Sequence, residues 1–136
     1  TVNSYDVSDT EPVFYMGAED SADAVLAGFS LGAFFAQAFA AKRPDARAAV
    51  LLHNVEAPRD GTWNGVPVQV HRHAVDPFIS EPDVTALRDA VTASGAPFDD
   101  VVVVPGEGHL FTDLATPDGD AAACDASIAA FDAFIR

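Results

Sequence analysis

Basic residues are scarce in this 136-residue chain. Seven lysines and arginines stand against 21 aspartates and glutamates, a net charge of −14, and Lys42 is the sole lysine. Contacts to a phosphate backbone need Lys or Arg, so nucleic-acid binding is not expected. Docking on an anionic membrane surface is disfavoured for the same reason. Self-repulsion of this size favours solubility. Aspartate far outnumbers glutamate and lysine is nearly absent, a bias that fits either a saline habitat or a GC-rich genome.

Cysteine is almost as rare. Cys124 stands alone, which excludes an internal disulfide and a cysteine metal cluster and suits a cytoplasmic location. No apolar run approaches the roughly 20 residues of a membrane-spanning helix. The start shows no charged-then-apolar leader, which again leads us to expect a cytoplasmic protein.

What the chain does have is apolar substance: 49% of its residues. That suffices for one domain with a real core over 1–136. Residues 24–29 form a near-continuous apolar run, as in a parallel strand buried on both faces. From Leu31 to Arg43 the apolar residues Leu31, Phe34, Phe35, Ala38 and Phe39 recur at helical spacing. Lys42 and Arg43 are expected in the last turn of that helix, and Pro44 closes it. Further strands are expected over 48–53, 66–72 and 98–104. A helix opens at Ser80-Glu81-Pro82 and ends at Gly95, and a last one begins between Pro117 and Asp120. Residues 54–65 form the only long loop. Residues 1–23 are atypical, with short apolar pieces at 1–7 and 13–16 that suit strands. This alternation predicts an α/β fold, with a mostly parallel sheet of about five strands and helices on both faces.

Between the first strand and its helix lies Gly28-Phe29-Ser30-Leu31-Gly32, a G-x-S-x-G pentapeptide. Strand, sharp turn and helix form the context in which it acts as a nucleophile elbow. Both glycines are expected to remove side chains that would clash in the turn. In an open parallel sheet, ligands bind at the carboxyl ends of the strands. Ser30 follows the first strand, Asp76 the third and His109 the fourth, the chain order of a hydrolase triad. A serine hydroxyl is a weak nucleophile. A histidine that takes its proton and an acid that orients the histidine make it a strong one. The Leu31 N–H would face the oxyanion. Glu56 is the rival acid. Asp113 follows His109 too closely, and Asp99 and Asp100 begin a strand at the wrong end of the sheet. Phe29, His53 and Trp63 are candidate substrate contacts, and Trp63 has packing of the loop as its other reading. His71 and His73, with His53, could imitate a metal site. Polar residues near the rim are the simpler explanation, and no metal is expected.

Several segments together resemble the dienelactone hydrolase family of the α/β-hydrolase superfamily. They are Gly28-Phe29-Ser30-Leu31-Gly32-Ala33, Val50-Leu51-Leu52-His53, Val66-Pro67-Val68-Gln69-Val70-His71, Asp76-Pro77, and Pro105-Gly106-Glu107-Gly108-His109-Leu110-Phe111-Thr112-Asp113. The resemblance covers 24–136. It implies a reduced α/β-hydrolase fold, with Ser30 as nucleophile, Asp76 as acid and His109 as base. The activity it implies is hydrolysis of small carboxylic esters or lactones without a cofactor. Dienelactone hydrolases proper use cysteine as nucleophile, so serine here points to a general carboxylesterase. The family also places several strands and a second oxyanion donor ahead of the elbow, where this chain has about 23 residues. Tyr15-Met16-Gly17 or 1–7, as a short strand beside 24–29, would have to stand in. A minimal hydrolase, a fragment of weak or no activity, and a homodimer that completes its sheet are the three readings open at this level.

Overall fold

The computed structural model describes residues 22–136. The segments 1–7, 13–16 and Tyr15-Met16-Gly17 lie outside the described residues. In chain order the elements are β1 (Val25–Phe29), α1 (Leu31–Ala40), β2 (Ala48–Leu52), β3 (Val68–Val75), α2 (Glu81–Ala93), β4 (Phe98–Glu107) and α3 (Ala121–Ile135). The described strands form one four-stranded sheet in the order β1-β2-β3-β4, and every neighbouring pair is parallel. All carboxyl ends therefore lie on one rim. Among the described residues no helix is long and apolar enough to cross a membrane.

The alternation of side chains along each strand sorts the two faces. On one face Leu26, Leu51, Val68 and Val70 pack beneath Ala36 of α1 and Leu87 of α2 in a single buried cluster. Small alanines at Ala33, Ala36 and Ala40, all buried, let α1 lie close to the sheet. Ser80 caps α2, its hydroxyl accepting from the Asp83 N–H, and Pro82 sits in the first turn, where its missing donor leaves nothing unpaired. On this face Arg72, nearly buried, reaches Asp100 at 2.9 Å and Glu81 at 2.5 Å.

The opposite face is covered by α3, and it is polar at its centre. His71 is fully buried. Its Nδ1 lies 2.5 Å from Ser127 Oγ on α3, and its Nε2 lies 2.8 Å from Gln69 Oε1. The Gln69 amide nitrogen donates to Asp99 and to the Ala130 carbonyl, so its oxygen is left to accept from His71 Nε2–H. Nδ1 then accepts from the Ser127 hydroxyl. His71 is thus a tie between sheet and helix rather than a residue of the rim. Toward β1 and β2 the same face carries an apolar cavity of about 340 Å³, lined by Ala27, Phe29, Val50, Leu52 and Phe131.

Several boundaries differ from expectation, β2 ending at Leu52 and β3 starting at Val68 among them. The first helix ends at Ala40, so Lys42 and Arg43 lie beyond it. The chain there tightens into turns, with Lys42 N bonded to Phe39 O and Arg43 N to Ala40 O, and Arg43 turns to Asp45 at 2.9 Å. β3 runs to Val75, not to 72, and β4 to Glu107, through Pro105-Gly106. Two register shifts at His73 absorb the irregularity. Among the described strands β4 has a neighbour on one side only, and an edge tolerates a proline that cannot donate.

Replacing Ser127 by Ala leaves the buried His71 Nδ1 without a donor. We expect a loss of about 1–3 kcal/mol, read as a lower urea midpoint with an unchanged slope. An unaltered midpoint would show that the tie contributes nothing.

Candidate active site

The turn that carries Ser30 depends on a contact that only glycine permits. A Cβ on Gly28 would lie 2.2 Å from the Gly32 carbonyl group and 2.7 Å from Ala33 N. Gly32 differs from expectation, since a Cβ there meets nothing within 4 Å among the described residues. The chain reverses at Ser30, which takes φ 51° and ψ −114°. A side chain at positive φ is strained and persists only where its surroundings hold it. Here the Ser30 N–H donates to the Leu52 carbonyl at 2.7 Å, and the Ser30 carbonyl accepts from Ala33 N at 2.9 Å. The hydroxyl is lifted clear of β1 onto the rim.

There it meets the other two candidates. Ser30 Oγ lies 3.1 Å from His109 Nε2, and His109 Nδ1 lies 2.7 Å from Asp76 Oδ2. The Asp76 side chain is wholly buried and the His109 ring only slightly exposed. Asp76 Oδ1 accepts from the Phe78 N–H at 2.8 Å, which fixes the carboxylate plane. A buried carboxylate on Nδ1 selects the tautomer whose Nε2 can accept a proton from the serine. Leu31 is the first residue of α1, so its N–H has no partner within the helix and stands at the positive end of the helix dipole.

Phe29, Leu31 and Phe78 are more than half exposed around this group. The Phe78 ring stands 4.6 Å from the His109 ring. Phe78 was not evident from the sequence, and its adjacency to Asp76-Pro77 was the available signal. Phe29 is the last residue of β1, at the carboxyl rim.

Two other candidates lie elsewhere. His53 is fully buried, just past β2 at φ 68°, beneath the rim rather than on it. Its Nε2 is 2.7 Å from Thr112 Oγ1, and its ring packs edge-on against Phe111 at 4.6 Å. Burial, followed by repulsion from His109, pushes its pKa down to about 4, which keeps it neutral beneath the site. Trp63 donates to the Val66 carbonyl at 2.7 Å. It lines a cavity beside α1 that contains none of Ser30, Asp76 and His109.

Glu56, the rival acid, lines the same cavity, and its backbone is clamped at both ends by the Gln37 amide. Asp99 and Asp100 are engaged by Gln69 and Arg72, and the Asp113 side chain accepts from Ala115 N. His73 is buried under Gly108, whose added Cβ would strike its ring at 2.5 Å. Among the described residues no group of three or more His, Cys, Asp or Glu side chains could hold a metal ion.

A parallel sheet in sequential order, with a serine elbow, an acid and a histidine on its carboxyl rim, defines an α/β-hydrolase fold. The sequence model of the dienelactone hydrolase family matches residues 9–136, and the chain belongs to that family. Among curated proteins, no sequence matches it significantly.

Solved structures show the same fold. One is a protein of Klebsiella pneumoniae assigned as a dienelactone hydrolase, 21% identical with a TM-score of 0.68 over 82% of this chain and 50% of that one. A second is a dienelactone hydrolase-like promiscuous phosphotriesterase from metagenomic libraries, also 21% identical, with a TM-score of 0.66 over 81% and 50%. A third is esterase 2 of Thermogutta terrifontis with butyrate bound, 20% identical, with a TM-score of 0.59 over 82% and 55%. The chain thus spans about half the length of these structures.

Two expectations follow. Gly28→Ala forces Cβ into the Gly32 carbonyl and should cost several kcal/mol, on the order of other special-backbone losses, whereas Gly32→Ala should be tolerated. Urea unfolding of the two variants compares them directly, and equal stabilities would contradict the asymmetry. The second concerns acid. Burial holds the pKa values of His53 and His71 at about 4, against 6.5 in a free side chain. The unfolded chain therefore binds protons that the folded one refuses as pH falls from 6.5 toward 4. Stability contributed above 6.5 is lost through that window, at up to about 2.7 kcal/mol per pH unit if both act. Denaturation midpoints at pH 7 and pH 5 should differ accordingly, and equal midpoints would refute the assignment.

Proposed function

We propose that this chain is a serine hydrolase acting on small carboxylic esters or lactones through an acyl-enzyme. The observation that carries the reading is the continuous chain from Ser30 Oγ through His109 to Asp76, at 3.1 and 2.7 Å. Ser30 Oγ attacks the acyl carbonyl while its proton passes to His109 Nε2. Asp76 holds Nδ1–H and stabilises the imidazolium. The Leu31 N–H donates to the oxyanion. Collapse expels the alcohol, which takes the proton back from His109. Water, deprotonated by the same histidine, then releases the acid. No step calls for a metal or cofactor. The exposed apolar rings of Phe29 and Phe78 suit short, uncharged acyl or alcohol groups. A net charge of −14 disfavours anionic substrates.

A second reading is favoured by one observation: the chain covers half of the structures it resembles. In this reading it is a hydrolase-like module of weak or no turnover. Leu31 is the single oxyanion donor assigned among the described residues. Each such donor is worth about 10²–10³ in rate, so a site with one turns over slowly.

Turnover of p-nitrophenyl acetate and butyrate should be lost in Ser30→Ala and fall by about 10⁴ in Asp76→Asn, as expected when the tautomer is no longer held. A fluorophosphonate probe should label the wild type at Ser30 and leave Ser30→Ala unlabelled. Equal nitrophenol release by wild type and Ser30→Ala would overturn the hydrolase reading in favour of the inactive module.

A further inference from the structure

His109 stands on neither a strand nor a helix. It lies in the connection between β4 and α3, and a base held by a loop needs anchors if its ring is to stay in line. The ring is held by Asp76. The backbone is held by a residue nine positions downstream: the His109 N–H donates to Asp118 Oδ2 at 2.8 Å. The Leu110 N–H is directed at the same carboxylate.

The chain returns to make this contact through successive turns. Asp113 N bonds to the Leu110 carbonyl, Thr116 N to the Asp113 carbonyl and Gly119 N to the Thr116 carbonyl. The return is possible because residue 119 is glycine. A Cβ there would lie 2.5 Å from the Asp113 carbonyl oxygen and 2.6 Å from Leu114 Cα.

Building on the hydrolase reading, we infer that Asp118, seated by the tight turn at Gly119, is the positioning residue that holds the His109 backbone so that its imidazole bridges Ser30 and Asp76. Asp118 touches none of the reacting atoms. It acts through the peptide of the base, and as a carboxylate it makes a charge-assisted bond, stronger than a neutral acceptor would make. The bonds from His109 and Leu110 hold its carboxyl below the ordinary carboxylate range, so it is ionised at neutral pH. A second anchor lies three residues beyond the histidine, where Thr112 Oγ1 meets His53 at 2.7 Å. Loss of Asp118 should therefore loosen the register of His109 without releasing the whole loop.

Asp118→Ala should lower kcat for p-nitrophenyl acetate about 10-fold or more and leave KM within about twofold, since ring placement and not the substrate surface is disturbed. Asp118→Asn keeps an oxygen acceptor in place and should restore most of kcat. A residue that served folding alone would lower the yield of active protein in step with stability and would not split kcat from KM. The second measurement is independent of turnover. In ¹⁵N-resolved hydrogen exchange, the His109 amide should be protected in wild type and Asp118→Asn and should exchange rapidly in Asp118→Ala. Wild-type kcat in Asp118→Ala overturns the inference, as does an unprotected His109 amide in the wild type, a result that needs no variant to fold. If no form of the protein turns over ester, the hydrolase reading fails, while the amide measurement still decides whether Asp118 holds the loop.

Discussion

Everything at the rim depends on how closely the backbone of Gly28 lies against the carbonyl of Gly32. A strand can turn into a helix within one residue only if the two segments nearly touch, and a Cβ 2.2 Å from a carbonyl group forbids that touch. The strain that results is concentrated at Ser30, at φ 51°. It is held by a ladder bond to Leu52 and by the first turn of α1. The same turn raises the hydroxyl toward His109 and places the Leu31 N–H beside it. The raised hydroxyl, the first N–H of α1 and the strained backbone are three aspects of one close contact.

Beneath the rim, the sheet carries more buried polarity than its apolar composition suggests. His53, Gln69, His71, Arg72, His73 and Asp76 are all buried. Most are tied by specific partners, because a buried polar group without one is costly. Gln69, His71 and Ser127 join the sheet to α3. Arg72, Asp100 and Glu81 join it to the start of α2. His53 and Phe111 form a floor under His109, edge to face. Two of these histidines are held neutral by burial, and the Asp76 carboxylate bonds to the ring of His109. The arrangement that stiffens the site is also the one that makes the fold sensitive to acid.

The legibility of this chain followed the range of the interactions involved. The elbow was readable because it is local: a strand, five residues and a helix declare it. The meeting of Asp76 and His109 with Ser30 was readable because each follows a strand, and parallel strands deliver their carboxyl ends to one edge. Strand ends were less so. β4 continues through Pro105-Gly106 because an edge position and a register shift accommodate residues that usually break strands. The first helix stops before Lys42, since turns and the Arg43–Asp45 pair take over there. His53 and Trp63 look like site residues by position, yet one points into the floor and the other packs on the flank of α1. Nothing local distinguishes a histidine that faces the rim from one that faces the core.

By itself, the sequence determined the class of fold, the serine at the elbow and the chain order of the candidate serine, acid and histidine. These depend on periodicity, on glycine at the turn and on chain order, all of which are properties of short segments. Tertiary structure alone put Asp76 Oδ2 2.7 Å from His109 Nδ1 and set Glu56 in a separate cavity beside α1. It also decided that His71 ties a helix and that Asp118 reaches back to the base. Both contacts join residues distant along the chain, 56 positions apart for His71 and Ser127 and nine for His109 and Asp118. Such pairings come into being only when the sheet and its loops have closed.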